Sequence, residues 1–129
     1  MKIKKITVLF CSLFFIQCLY KDYNFKENLV NEFYLMESDI LPSRYISLEY
    51  KDSKLVIIYD VIEIIGNKNV ILVKTKNNKN EERYELIEVC KVEYPEDVKI
   101  ISYQEFHKQK KTIVYEYSYD TNNGFIRKN

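Results

Sequence analysis

The segment 55-LVIIYDVIEIIGNKNVILVKT-75 decides the fold. Its two runs, 55–65 and 70–75, are rich in β-branched residues, and the polar connection Gly66-Asn67-Lys68-Asn69 joins them. Such runs favour extended backbone, and short connections of glycine and asparagine are typical of β-hairpins. We therefore predict an antiparallel hairpin whose connection uses residues that tolerate a positive φ. Asp60 and Glu63 interrupt the first run, which indicates one long bent strand or two short ones.

Further elements lie on both sides of this hairpin. Alternation of apolar and polar residues predicts strands at 45–50, 84–89 and 112–119. The pattern over 25–36 is ambiguous, because its apolar residues also fall at helical spacing, and we favour a strand at 32–37. Ser102 is a suitable N-cap with Glu105 three residues later, so we predict a capping box and one helix over residues 103–110. The expected fold is mainly β (α+β): a small antiparallel sheet or open barrel with one short helix, connected as a meander.

The N-terminal segment has the pattern of a secretory signal. Lys2, Lys4 and Lys5 precede an apolar run at 6–16, and Cys18 follows shortly after it. The charges stay in the cytoplasm while the apolar helix enters the bilayer. The run is shorter than the roughly 20 residues that span a hydrocarbon core, which favours a cleaved signal over a permanent membrane helix.

Cys18 and the residues before it resemble the lipobox of bacterial lipoproteins, in which the cysteine is acylated and becomes the new N-terminus. Gln17 departs from the small residue that the family prefers at that position. The resemblance implies lipidation of Cys18 and an anchor in the membrane, because each buried methylene of an acyl chain contributes about 0.8 kcal/mol. Leu19 is not the aspartate of an inner-membrane retention signal, so the outer membrane is expected if the cell has two membranes. The alternative is an unmodified Cys18.

A second resemblance rests on the signal that ends at Cys18 and on short, hydrophobic segments at 33–35, 70–74, 84–87 and 102–106. With these features the chain resembles small lipoproteins of Bacteroides-type and related bacteria that form a domain-of-unknown-function family. The family implies a cell-envelope setting and assigns no functional residues.

These expectations divide the chain into three parts. Residues 1–17 are the signal peptide, 18–31 a lipidated tether and 32–129 a single β-rich domain, with a loose tail after the turn at 120–124. Three of the 20 basic residues lie in the leader, which leaves 17 against 19 acidic residues and gives no electrostatic footprint for nucleic acid. With Cys18 set aside, only Cys90 remains in the body of the domain, so no internal disulfide is expected.

No catalytic or metal-binding constellation is recognisable in the sequence. His107 is the single histidine, and its sequence neighbours do not form a familiar ligand set. Cys90 follows a strand, where a small buried hydrophobe is the ordinary case, and a dyad with His107 is the alternative. Four glutamates at 81, 82, 85 and 88 are interpreted as the solvated edge of a sheet. We expect no cofactor, no metal and no enzymatic activity.

Tyr115, Tyr117 and Tyr119 alternate along one predicted strand and therefore share a face. An aromatic row on a sheet can bind a ligand by stacking, or it can pack against neighbouring strands, which is the interpretation we favour. The expected function is that of a membrane-anchored, non-enzymatic envelope lipoprotein that binds a protein partner or has a structural role. The alternative is an immunity or inhibitor protein that neutralises an envelope toxin or hydrolase through an exposed β-edge or the tyrosine face.

Overall fold

The computed structural model describes residues 25–39, 44–110 and 114–128. Ten strands, one helix and one 3-10 turn form within these ranges. The strands are β1 Phe25–Val30, β2 Phe33–Glu37, β3 Arg44–Tyr50, β4 Ser53–Tyr59, β5 Val61–Gly66, β6 Val70–Lys76, β7 Glu82–Glu88, β8 Lys99–Ile101, β9 Tyr115–Asp120 and β10 Gly124–Arg127. The helix α1 spans Tyr103–Gln109, and the 3-10 turn spans Pro95–Asp97.

The strands form two antiparallel sheets. The first has the order β1-β2-β3-β4 and is a simple meander, while the second has the order β10-β9-β5-β6-β7-β8. Every strand pair is antiparallel. The predicted fold class, a mainly antiparallel β structure with one short helix, is confirmed. The strands divide between two sheets because the chain changes sheet between β4 and β5.

The main core lies between the two sheets. Leu35 and Ile46 from the first sheet and Ile64, Ile71 and Ile87 from the second are fully buried there. Helix α1 covers the opposite face of the six-stranded sheet, where Phe106 packs on residues that alternate with the core positions; these are Ile65, Leu72 and Leu86. Strands β5, β6 and β7 are therefore apolar on both faces, which explains the continuous apolar runs in their sequence.

Asp60 is the corner at which the chain leaves one sheet and enters the other. It is the single residue between β4 and β5, and its φ of 59° lies in the left-handed region. Aspartate tolerates this region better than a β-branched residue does. The backbone oxygen of Asp60 accepts a hydrogen bond from the Lys76 N–H at 3.0 Å, which fixes the corner to the end of β6. Of the two alternatives for 55–65, the two-strand interpretation is confirmed.

The connection between β5 and β6 reverses the chain without the positive φ angles that we expected there. None of the four residues from Gly66 to Asn69 has a positive φ. Instead, the side-chain oxygen of Asn67 accepts hydrogen bonds from the Asn69 and Val70 N–H groups at 2.8 and 3.0 Å. Gly66 is required for a different reason: a Cβ there would lie 2.5 Å from the hydroxyl oxygen of Tyr115, its cross-strand neighbour. The aromatic ring occupies the space that a side chain would need.

Two predicted boundaries are wrong. Residues 25–30, expected to be tether, form β1, because its inner side chains have a surface to pack on: Phe25 lies 5.9 Å, between ring centroids, from Phe125. The tail expected to be loose forms β10, which pairs with β9 and buries Phe125. The first and last described strands therefore meet at one side of the molecule.

Helix α1 matches its prediction closely. Ser102 caps it by accepting a hydrogen bond from the Glu105 N–H at 3.1 Å. The reciprocal half of the predicted box is replaced, since the Glu105 carboxylate accepts from the Gln109 side chain at 2.8 Å. Among the described residues, no helix has the length and apolar character that crossing a membrane requires.

Substitution of Asp60 tests the corner. Asp60→Val is expected to lower the free energy of unfolding by about 2 kcal/mol, because a β-branched residue is strained at this φ. Asp60→Gly and Asp60→Asn are expected to stay within about 1 kcal/mol of the native protein, because both residues tolerate the left-handed region. Urea denaturation of the three variants provides the comparison. Equal losses in all three would mean that the aspartate side chain, and not the backbone conformation, is what the corner needs.

Candidate binding surface

The predicted tyrosine row lies in the core. Tyr115 and Tyr117 are buried between the sheets, and Tyr119 is partly buried against Phe125 at 5.3 Å between ring centroids. Burial is the main cause that raises the pKa of Tyr117, and the nearby Glu27 carboxylate raises it further. These positions agree with the packing interpretation of the row, because Tyr115 and Tyr117 are too deeply buried to contact a partner.

Cys90 and His107 lie in different parts of the fold. Cys90 is exposed in the connection after β7, so the expectation that it is a buried hydrophobe is wrong. His107 is exposed on α1, where its ring contacts Tyr103 at 4.2 Å between centroids. Helix α1, which carries His107, covers the outer face of the six-stranded sheet, whereas Cys90 borders a recess on the side of the four-stranded sheet. The fold therefore does not bring Cys90 and His107 together as a dyad. Cys18 lies outside the described residues.

A different surface collects the exposed apolar side chains. Eight large apolar or aromatic side chains are exposed among the described residues, and five of them border strand β4 or the segment opposite it. These five are Tyr50, Leu55, Tyr59, Tyr94 and Ile100. We name this region, with the edge strand β4 at its centre, the β4 surface. Exposed apolar patches of this kind mark interaction sites, and tyrosine is enriched in them.

Local hydrogen bonds position this surface. Between β3 and β4 the chain turns at Lys51, whose φ is 54°, and the Ser53 hydroxyl donates to the Tyr50 carbonyl at 2.8 Å. On the opposite side, the Asp97 carboxylate accepts from the Glu93 and Tyr94 N–H groups at 3.0 and 3.1 Å, which fixes the 3-10 turn. This turn lies beside β4 and separates two recesses.

The first recess is apolar and has a volume of about 770 Å³. Its walls come from the ends of both sheets and from the connection after β7, and Cys90 lies at its edge. The apolar and aromatic lining consists of Phe33, Leu48, Tyr50, Leu55, Val89, Val92 and Tyr94. Lys54 and Glu93 are among the polar residues that border it. We name it the apolar recess.

The second recess, about 580 Å³, is polar and predominantly acidic. Four carboxylates and one guanidinium line it, together with Tyr59 and the end of β4; the charged residues are Asp60, Glu81, Glu82, Glu85 and Arg83. Glu82 forms an ion pair with Lys74 at 3.5 Å. The Glu85 carboxylate forms no hydrogen bond or ion pair with another described residue. We name it the acidic recess.

Glu85 is the least expected member of this group. It pairs with Val73 and Ile100, and Val73 is fully buried in the core, so Glu85 shares the inner face of the sheet. Burial raises the pKa of its carboxyl, and the nearby Arg83 partly opposes the shift. Its interpretation as part of a solvated sheet edge is therefore wrong. The alternation Glu85, Ile87 was the available signal, because residues two apart on a strand face the same way.

The other glutamates of that group behave more ordinarily. Glu81 is exposed. Glu88 lies within 3.1 and 3.0 Å of the ammonium groups of Lys91 and Lys99, and hydrogen bonds from these lysines lower its pKa. Within the described ranges, no cluster of three or more histidine, cysteine or carboxylate side chains could hold a metal ion. The β4 surface therefore presents two recesses, one apolar and one acidic.

Comparisons of the chain with protein-family models, curated proteins and solved structures gave no match. The resemblance to bacterial lipoproteins stays a prediction.

Glu85→Gln tests the placement of Glu85. A raised pKa means that the folded protein binds the proton more tightly than the unfolded chain. The native protein therefore loses stability as the pH rises from below the ordinary glutamate value through the raised pKa. The glutamine variant carries no such proton, so it is expected to be more stable than the native protein near pH 7 and to lose that advantage near pH 4.

Denaturant unfolding at both pH values measures the difference. Glu105→Gln on α1 is the control and is expected to bring no gain at neutral pH. A Glu85→Gln variant that is less stable at neutral pH would show that the carboxylate has a stabilising partner there.

Proposed function

We infer that the protein is an exported envelope lipoprotein, anchored through Cys18, whose β domain acts by binding and not by catalysis. The anchor rests on the order of features in the leader, which is basic residues, then a short apolar run, then Cys18. The binding role rests on one observation, the concentration of exposed apolar and aromatic side chains along the edge strand β4.

The position of β1 bears on how the domain would sit at the membrane. Cys18 and Phe25, the first residue of β1, are seven residues apart in sequence. A fully extended chain of that length covers about 25 Å. An acylated Cys18 would hold the domain within one domain diameter of the lipid surface, so its partner would be another envelope component or a molecule at that surface.

Acylation of Cys18 is tested by metabolic labelling with a fatty acid. The native chain is expected to carry label and to partition into detergent, and Cys18→Ser is expected to lose both properties. Cys90→Ser is the matched control and should keep the label, because Cys90 belongs to the folded domain. Equal labelling of the native chain and Cys18→Ser, or no label on either, would contradict the anchor.

A second candidate function is that of an immunity or inhibitor protein. The exposed apolar and aromatic side chains of the β4 surface favour it, because exposed apolar patches mark sites of interaction with other proteins. Cells that express the genes next to this one are expected to stop growing without it and to recover with it. Leu55→Ser, on the β4 surface, should weaken the recovery, and Ile126→Ser, an exposed residue on β10, should not. Neighbouring genes without toxicity would count against this function.

A further inference from the structure

The apolar recess is bounded by three connections between strands, and hydrogen bonds hold each of them in place. In the first, between β1 and β2, Asn31 has a φ of 48° and the Glu32 carbonyl accepts from the Glu49 N–H at 2.9 Å. The second is the β3–β4 turn at Lys51, and the third is the connection after β7, which the Asp97 carboxylate fixes. Walls that are held before binding lose little entropy when a ligand arrives, so the recess is preorganised.

The size and lining of the apolar recess suit a small molecule. Its volume of about 770 Å³ lies within the roughly 300–1,000 Å³ that pockets for small organic ligands occupy. Phe33 in its lining is 1% exposed, whereas Tyr50 and Tyr94 are 59% and 58% exposed. A ligand with an apolar body would cover these rings and remove apolar surface from water, which favours binding.

The charges around the recess indicate the sign of the ligand. Glu32 and Glu93 line it, and neither carboxylate forms a hydrogen bond or ion pair with another described residue. Lys54 is the single cationic residue in the lining, and its ammonium donates a hydrogen bond to the Tyr45 hydroxyl at 2.9 Å. Tyr45 alternates with the core residue Ile46, so this hydroxyl belongs to the outer face of the first sheet. A cation in the recess would therefore meet uncompensated negative charge, while an anion would be repelled.

The aromatic rings add to this preference, because the face of an aromatic ring attracts a positive charge. The Tyr50 ring already has such a contact, with the Lys51 ammonium 5.4 Å from its centroid. No cationic side chain of the described residues lies over the Tyr94 ring, which follows Glu93 directly in the chain. Tyr94 and Glu93 are thus the ring and the carboxylate best suited to a cationic group.

We propose that the apolar recess binds a small organic cation, an amine or ammonium group attached to an aromatic or aliphatic body. The body fills the recess over Phe33 and Leu55, and the cationic group lies with Glu32, Glu93 and Tyr94. The proposal deepens the proposed function and rests on its binding role, not on its anchor.

Three naphthalene probes of similar size test the charge preference. They are 2-naphthylethylamine, a cation at neutral pH, 2-naphthylethanol, which is uncharged, and 2-naphthylacetate, an anion. Equilibrium dialysis measures their binding to the full chain in detergent, and micelles without protein provide the blank. The amine is expected to bind about fivefold more tightly than the alcohol and about twentyfold more tightly than the anion.

Protein variants connect the preference to particular side chains. Glu93→Gln and Tyr94→Leu are each expected to weaken the amine about threefold and to leave the alcohol within about twofold. Leu55→Ser is expected to weaken all three probes, and Ile126→Ser, an exposed residue on β10, is expected to change none. Circular dichroism establishes that each variant is folded. Glu85→Gln is the carboxylate control; loss of the preference there and not in Glu93→Gln would place the cation in the acidic recess and contradict the proposal.

The Cys90 thiol reports whether the amine enters this recess, because it is exposed at the edge. A bound ligand that covers an exposed thiol lowers its reactivity, so saturating amine is expected to slow alkylation of Cys90 by iodoacetamide about threefold. Mass spectrometry of the Cys90 peptide measures the rate without interference from the other cysteines. An unchanged rate while the amine is bound would place the amine elsewhere and overturn the proposal.

The remaining outcomes separate this proposal from self-association and from the proposed function. If sedimentation shows that the native chain and Ile126→Ser form dimers and Leu55→Ser does not, a second copy covers the recess and the proposal is wrong. Equal binding of the amine and the alcohol, or binding of no probe, also contradicts it. In either case a weaker recovery of growth with Leu55→Ser would still support a binding role for the β4 surface. Loss of the acyl label would remove the membrane anchor without affecting the binding of these probes.

Discussion

The backbone conformation of one residue, Asp60, determines how the ten described strands are divided. A left-handed φ at this position turns the chain sharply enough that β5 cannot continue beside β4 and instead begins the second sheet. Apolar residues from both sides of Asp60, namely Ile57, Ile58, Val61 and Ile64, are buried in the core between the two sheets. Folding gains from that burial more than the roughly 1 kcal/mol that an aspartate in this region costs.

The same corner explains why the β4 surface is exposed. Because the chain departs from β4 into the other sheet, none of the later strands that the structure describes pairs with the outer side of β4. The connection from β7 to β8 instead passes opposite it, which leaves a recess at each end of the strand. The feature that builds the core thus also leaves Leu55 and Tyr59 exposed on β4, while Ile57 and Ile58 of the same strand are buried.

The sequence predicts the local elements better than their assembly. The strands of the central hairpin, the Ser102 cap and the antiparallel class follow from periodicity and turn chemistry, which act over a few residues. The division into two sheets cannot be predicted in this way. In the sequence Asp60 looks like any polar residue that interrupts a strand, and its left-handed φ is visible only in the structure. The tyrosines show the same limit: alternation correctly places Tyr115 and Tyr117 on one face, but only tertiary packing decides that this face is buried. Glu85 could have been recognised from its alternation with Ile87, whereas the exposure of Tyr50, Tyr59 and Tyr94 depends on which strand lacks a neighbour.

The contact between Phe25 and Phe125 has a further implication for the order of the chain. Strands β1 and β10 belong to different sheets, yet their aromatic rings touch. A short linker could therefore join these two strands while every pair in both sheets is kept. New termini could then be opened in the exposed loop between β6 and β7, where Asn77 already closes a tight turn by hydrogen bonds to the Lys79 and Glu81 N–H groups. A circularly permuted gene of this design would place the ends of the folded domain in the β6–β7 loop, and each strand would keep its neighbours in the sheet.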